Sequence, residues 1–396
     1  MDTRTHRAEI LFLRRPALAG VIALATGMVL GPLGLQLLRP QLLDDGAPIE
    51  SLSEIALLIC LFCIGLRLRV PLEWRLWRVP LRLSTLTMLA TTAIAAAAAH
   101  LIFDLSLSQA LLLGAIVSPT DPVLASETAT PTDGEQESPS FVPIAESAIN
   151  NGLATALVVS VLALMGFADG EVGAPGAVSL MALWLTAGGV ALGWLVGFGM
   201  CRCLTLLDPE RQVDFLEEAL VFASAATAYA AALILHTNGF IAVFTAGLAL
   251  SHGGRLRRAP RNHPLMPRVL RIAARLEKAA WLTILVVLGA LLTSAELRLR
   301  MLLFAAALFL LIRPLAVRLG MGGIALPFQL WKSVAWCAPR GVASLYCLVL
   351  SIDQGLDGPF ARQLAGITLV VVVSSLIASG ILSLPLGRAS PGTVDL

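Results

Sequence analysis

Apolar runs of membrane length follow one another along nearly the whole chain, and this pattern leaves few folds open. Hydrocarbon offers no water to backbone N–H and C=O groups, so a spanning segment must close its hydrogen bonds internally, as a helix does. The runs read as spans at 16–37, 49–66, 81–103, 105–127, 141–165, 175–205, 214–236, 238–252, 276–294, 301–319, 328–350 and 360–384. Each is about 20 residues long, the length a bilayer requires. Charged residues make up only 14% of the chain and hydrophobic residues 57%, whereas a soluble domain carries about 25% charged residues. No stretch is left for a large soluble domain, and the mean hydropathy is +0.83. The expected fold class is therefore an all-α polytopic membrane protein. The first run is long and lacks a small-residue cleavage site, so it reads as a retained span.

The basic residues sort by side when both termini are placed in the cytoplasm. Internal segments then hold Arg4, Arg7, Arg14, Arg15, Arg67, Arg69, Arg75, Arg78, Arg82, Arg202, Arg211, the block from Arg255 to Lys278, Arg313, Arg318, Lys332 and Arg388. External segments hold Arg39, Arg298, Arg300 and Arg362. This is the positive-inside bias. The Arg-rich stretch from His252 to Lys278 reads as the longest internal loop, with an amphipathic surface helix over Met266 to Arg275. The loop from Glu127 to Ser140 is acidic, and reads either as a solvated loop or as a cation-concentrating mouth. The six cysteines lie in or beside apolar runs and match no metal or haem spacing, so they read as buried hydrophobes.

Two spans are interrupted. Ser118-Pro119-Thr120-Asp121-Pro122 breaks the fourth and Cys337-Ala338-Pro339-Arg340-Gly341 breaks the eleventh. Proline removes a helical hydrogen bond and clashes with the preceding turn. Neither flank of the first break could cross a bilayer alone. Two broken spans at corresponding places in two halves predict an inverted-repeat transporter with its site where the breaks meet. The layout predicts a first repeat over about 16–165, a linker helix over about 175–205 and a second repeat over about 214–385. Residues 1–15 and 386–396 are left as cytoplasmic ends. One break carries an acid and the other a base, suited to the partial charges of unwound helix ends.

Between the breaks lies Ala145-Glu146-Ser147-Ala148-Ile149-Asn150-Asn151-Gly152, inside an apolar run. Glu146 and Asn150 share one helix face, and Ser147 and Asn151 the adjacent strip. Polar groups at membrane depth mark ion or substrate pathways. Arg340 needs a partner in hydrocarbon, and Glu146 is the best-placed acid by depth, so the two are expected to form a structural ion pair. Asp121 has two open readings, a site carboxylate and a turn-capping residue between prolines. Glu54 likewise reads as a site acid or an interfacial one. Glu217 and Glu218 read as solvated at a helix end.

These segments are similar to the motifs of one family. Gly114-Ala115-Ile116-Val117-Ser118-Pro119-Thr120-Asp121-Pro122, Glu146-Ser147-Ala148-Ile149-Asn150-Asn151-Gly152 and Trp336-Cys337-Ala338-Pro339-Arg340-Gly341 resemble the two broken helices and the intervening helix of the NhaP-type sodium/proton antiporters. Gly239 to Gly247 and Gly31-Pro32 fit in order. The resemblance implies an antiporter fold with two crossed broken helices, a homodimer, and a bacterial inner-membrane location. It implies a monovalent cation held near Thr120, Asp121, Ser147 and position 151, with sodium first and potassium or lithium as alternatives. It implies neither an enzyme nor a cofactor, and no nucleic-acid partner. No nucleotide-binding motif is present, which argues against an ATP-driven pump.

Two departures stand out. The family's first helix has no counterpart ahead of the Gly31-Pro32 span. Asn151 also stands where the family's Asn-Asp pattern has aspartate. A buried carboxylate holds a cation or a proton in turn. An amide still offers a carbonyl oxygen but does not titrate in this range. Three readings stay open: an exchanger coupled through Asp121 or Glu54, a non-exchanging relative acting as a leak, sensor or regulator, and a chain in which Asn151 replaces a native aspartate.

Overall fold

The structure, a computed structural model, describes residues 16–42, 46–121, 123, 141–167, 175–206, 214–253, 265–293, 298–336 and 338–386. They form helices and no strand. In chain order these are α1 (Pro16–Leu30), α2 (Gly46–Arg67), α3 (Trp74–Phe103), α4 (Leu107–Val117), α5 (Phe141–Leu164) and α6 (Pro175–Leu206). Then follow α7 (Asp214–Ile234), α8 (Gly239–His252), α9 (Leu265–Leu291), α10 (Leu299–Gly320), α11 (Phe328–Trp336), α12 (Val342–Asp353) and α13 (Gly358–Leu386). With α11 and α12 taken as halves of one broken pass, they match the dozen apolar runs. Among the described residues six helices are long and apolar enough to cross a membrane, and several shorter ones are apolar too. The chain is an all-α polytopic membrane protein. The acidic loop at 127–140, the basic ends at 1–15 and 387–396, Pro122, Cys337 and the Glu217 side chain lie outside the described residues.

The order of elements repeats. A long helix, a helix with a π turn, a broken helix and a second long helix occur as α2, α3, α4, α5 and again as α9, α10, α11–α12, α13. The π turns lie at Leu83–Thr87 and Leu308–Ile312. In the second half proline coincides with the rewinding: Pro314 lacks the N–H that would bond the Leu310 carbonyl, inside the π turn. In the first half Pro80 precedes the π turn. The packing repeats as well: α1 lies along α9 and α2 along α8. Both crossings are made by glycine. A Cβ on Gly27 or Gly289 would strike the backbone of Val286 or Leu24, and one on Gly65 or Gly247 that of Phe244 or Phe62. Lipid gives apolar helices no hydrophobic reason to associate, so small residues that admit close backbone approach hold such pairs together. Gly27→Ala is expected to destabilise by about 1–3 kcal/mol through overpacking. A detergent melting curve unchanged by that substitution would count against a close α1–α9 crossing.

One expectation is corrected here. The segment over Met266 to Arg275 is not a separate surface helix, because α9 runs unbroken from Leu265 to Leu291. Its buried stripe Val269, Ala273, Glu277, Trp281, Leu285 keeps a four-residue step straight through the arginines. The arginines occupy the other faces, so the positive charge hid a helix that packs inward.

Candidate functional site

The two breaks touch through backbone. The α4 helix stops at Val117, and the following residues through Asp121 are not helical. The Asp121 N–H donates to the Pro339 carbonyl at 2.7 Å, joining one unwound segment to the other. Each carbonyl or amide freed by proline must find a new partner in this dry environment.

The charged side chains at the breaks supply the rest. Arg340 Nε donates to the Val117 carbonyl at 2.6 Å and Nη1 to the Ala338 carbonyl at 2.7 Å. One guanidinium thus covers the negative ends of α4 and α11 together. Its backbone N–H is held by Ser375 Oγ of α13 at 2.7 Å. Asp121 serves the opposite polarity. Its Oδ1 accepts from the Val123 N–H at 2.9 Å and its Oδ2 from Trp281 Nε1 at 3.3 Å. The carboxylate also rests on Gly341, the residue before α12, where a Cβ would collide with it. Both readings of Asp121 therefore have a basis: it caps its own turn, and it is a fully buried carboxylate at the crossing.

Helix α5 closes the site. Asn150 Nδ2 donates to Thr120 Oγ1 at 3.0 Å, and the Thr120 N–H to Asn150 Oδ1 at 3.4 Å. Asn150 therefore fastens α5 to the first break. Ser147 Oγ donates within its own helix, to the Pro143 and Ile144 carbonyls, which leaves only its lone pairs for a cation. Asn151 is fully buried, and among the described residues neither the nitrogen nor the oxygen of its amide has a hydrogen-bond partner. A buried amide left unpaired is costly, and its oxygen is the kind of ligand an alkali ion accepts. Asp121, Thr120 and Asn151 each carry an oxygen of the kind an alkali ion accepts.

The expected Glu146–Arg340 pair is not formed. Glu146 accepts from Arg313 Nη2 instead, with both side chains almost wholly buried. Arg313 Nε also donates to the Val334 carbonyl near the end of α11, at 3.2 Å. Arg340 feels both charges electrostatically but spends its donors on helix-end carbonyls. Positive-inside sorting had assigned Arg313 to the cytoplasm. A sequence signal pointed elsewhere: it stands mid-way along an apolar span, where an arginine must be paired.

Glu54 lies away from the crossing. It is half-buried and accepts from the Tyr229 hydroxyl of α7. It sits six residues before Cys60 on α2, about 9 Å along the axis. Cys60, by contrast, is in electrostatic reach of Asp121. Glu277 of α9 was missed by the sequence reading, because it falls in the stretch taken for a loop. It is buried and pairs with Arg67 at the end of α2.

The chain matches the family model described as sodium/hydrogen exchanger, transmembrane, over residues 10–388. The K(+)/H(+) antiporter NhaP2 of Shewanella sp. strain MR-4 is 29% identical over 351 residues, 86% of this chain and 57% of the relative. The Na(+)/H(+) antiporter NhaP of Pseudomonas aeruginosa is 30% identical over 145 residues, 37% of this chain and 32% of that protein. These relatives are transporters, not enzymes. The chain thus spans a little over half the length of the NhaP2 relatives, 57%. The structure of the sodium proton antiporter MjNhaP1 from Methanocaldococcus jannaschii at pH 8 shares the fold, with a TM-score of 0.73 at 23% identity, covering 91% of each chain.

Proposed function

Since the chain belongs to the sodium/hydrogen exchanger family, we propose that it exchanges a monovalent cation for protons across a bacterial inner membrane. The observation that carries this reading is the crossing itself. A fully buried carboxylate, Asp121, sits where two broken helices meet, and on α5, next to the Asn150 that fastens this helix to the first break, the buried Asn151 amide has no partner among the described residues. Thr120, Asp121 and Asn151 are the cation ligands in this reading, with Ser147 contributing a lone pair. Glu146 and Arg313 hold the frame. Sodium is the first cation to test, and potassium stands beside it because the NhaP2 relatives are named for potassium. Both termini face the cytoplasm and the working form is a homodimer, which disulfide cross-linking in membranes would test.

Exchange is expected to be slow, because the amide at position 151 itself brings neither a negative charge nor a titrating group to a cation. Asn151→Asp is expected to raise the sodium- or potassium-driven collapse of a pH gradient in proteoliposomes by about tenfold or more, equivalent to about 1.4 kcal/mol. Equal rates for the two proteins would mean that position 151 takes no part in coupling.

A further inference from the structure

We propose that Glu277 is the second carboxylate of the cation site, supplying the charge that position 151 lacks, and that Arg67 neutralises it when the site is empty. This rests on the exchange reading above.

The placement is geometric. Glu277 lies in the middle of the buried stripe of α9, one helical turn from Ala273 and one from Trp281. Each neighbouring turn is anchored. On one side Cys63 Sγ of α2 donates to the Ala273 carbonyl at 3.4 Å. On the other, Trp281 Nε1 donates to Asp121 Oδ2 at 3.3 Å. Glu277 is therefore held between the inner end of α2 and the first break, facing the site. It acts electrostatically on Asp121, and both carboxylates act on Cys60. The charged or titratable groups that act on it are Arg67, Cys60 and Cys63 from α2 and Asp121 from the break.

The pairing of its two oxygens is uneven. Oε2 accepts from Arg67 Nη2, while Oε1 is buried with no partner among the described residues. Arginine–carboxylate pairs frequently take both oxygens of the carboxylate. Here one oxygen is dehydrated and open, the arrangement of a ligand awaiting a cation or a proton. The partner also differs from a structural one. The Arg67 side chain is 32% exposed and the Glu277 side chain 4%. Arg67 can swing its guanidinium back to water at small cost, whereas Arg313, locked to Glu146, is as buried as its partner.

Exchange follows from charge. Asp121 and Glu277 repel each other when both are ionised, and either a shared alkali ion or a proton on one of them relieves this. In the exchange step the cation enters between the carboxylates as the Glu277 proton leaves to the same side. One positive charge replaces another, and no net charge is added to the site.

The test uses the full chain, reconstituted for pH-gradient collapse with sodium, potassium and lithium, and solubilised for radioactive sodium or thallous ion binding. Glu277→Gln is expected to lower exchange and cation binding by about tenfold or more, with an unchanged melting temperature. Glu277→Asp should retain exchange with a shifted pH midpoint. Adding Asn151→Asp to Glu277→Gln should restore a large part of the exchange, since the missing charge returns from α5. A purely structural Glu277 would not be rescued from another helix. Wild-type exchange, binding and pH profile in Glu277→Gln would overturn the proposal, as would losses that neither Glu277→Asp nor the double variant reverses. If the unmodified protein neither exchanges nor binds any of these ions, the exchange reading itself falls and the proposal with it. If it binds without exchanging, only the exchange reading falls, and the binding comparison decides Glu277.

Discussion

Arg313→Ala is expected to destabilise the folded protein by about 3–5 kcal/mol, because it strands the Glu146 carboxylate in a dry interior. Both partners of this pair are buried to within a few per cent, so neither water nor salt screens the loss. The same substitution frees the Val334 carbonyl near the end of α11, adding an unpaired acceptor beside the second break. Thermal melting in detergent should show the drop at low and high ionic strength alike. Replacing both partners with leucine should recover most of it, because no isolated charge then remains. A melting temperature unchanged by Arg313→Ala would mean that the pair does not hold α5 to α10.

Asp121→Asn is expected to abolish exchange, by about a hundredfold or more, equivalent to roughly 2.7 kcal/mol or more. The amide keeps one acceptor, which can still take the Val123 N–H. Its NH2 then faces the Trp281 N–H, donor against donor, where the carboxylate had accepted. The negative charge before α12 also disappears, and with it the main attraction for a cation leaving water. Folding should survive, because the backbone bond from residue 121 to Pro339 does not depend on the side chain. Exchange measured with sodium and potassium, next to a melting curve, separates the two effects. An Asp121→Asn protein that exchanges at the original rate would leave this crossing without a role in transport.

What the sequence alone determined is the part governed by local rules. Membrane-length apolar runs dictate helices, since backbone groups in lipid have no other partner. Pro119 and Pro339 dictate breaks, since proline has no N–H to give. A four-residue step dictates that Glu146 and Asn150 share a face. These rules made the broken helices and the polar face of α5 legible residue by residue, whereas the oddity at Asn151 was legible only through the resemblance to the antiporter family.

Partner choice belongs to the tertiary structure. Depth along the chain suggested Arg340 for Glu146, but Arg340 lies where two helix C-termini converge and is claimed by the Val117 and Ala338 carbonyls. Arg313, counted as a cytoplasmic charge, enters the core on the π-wound helix α10 and takes the carboxylate. Glu277 was hidden by the arginines around it until α9 proved continuous. In each case several donors and acceptors of one type were available within hydrocarbon. Only the three-dimensional crossing of helices determines which of them come within hydrogen-bonding distance, and a buried charge must use the partner that does.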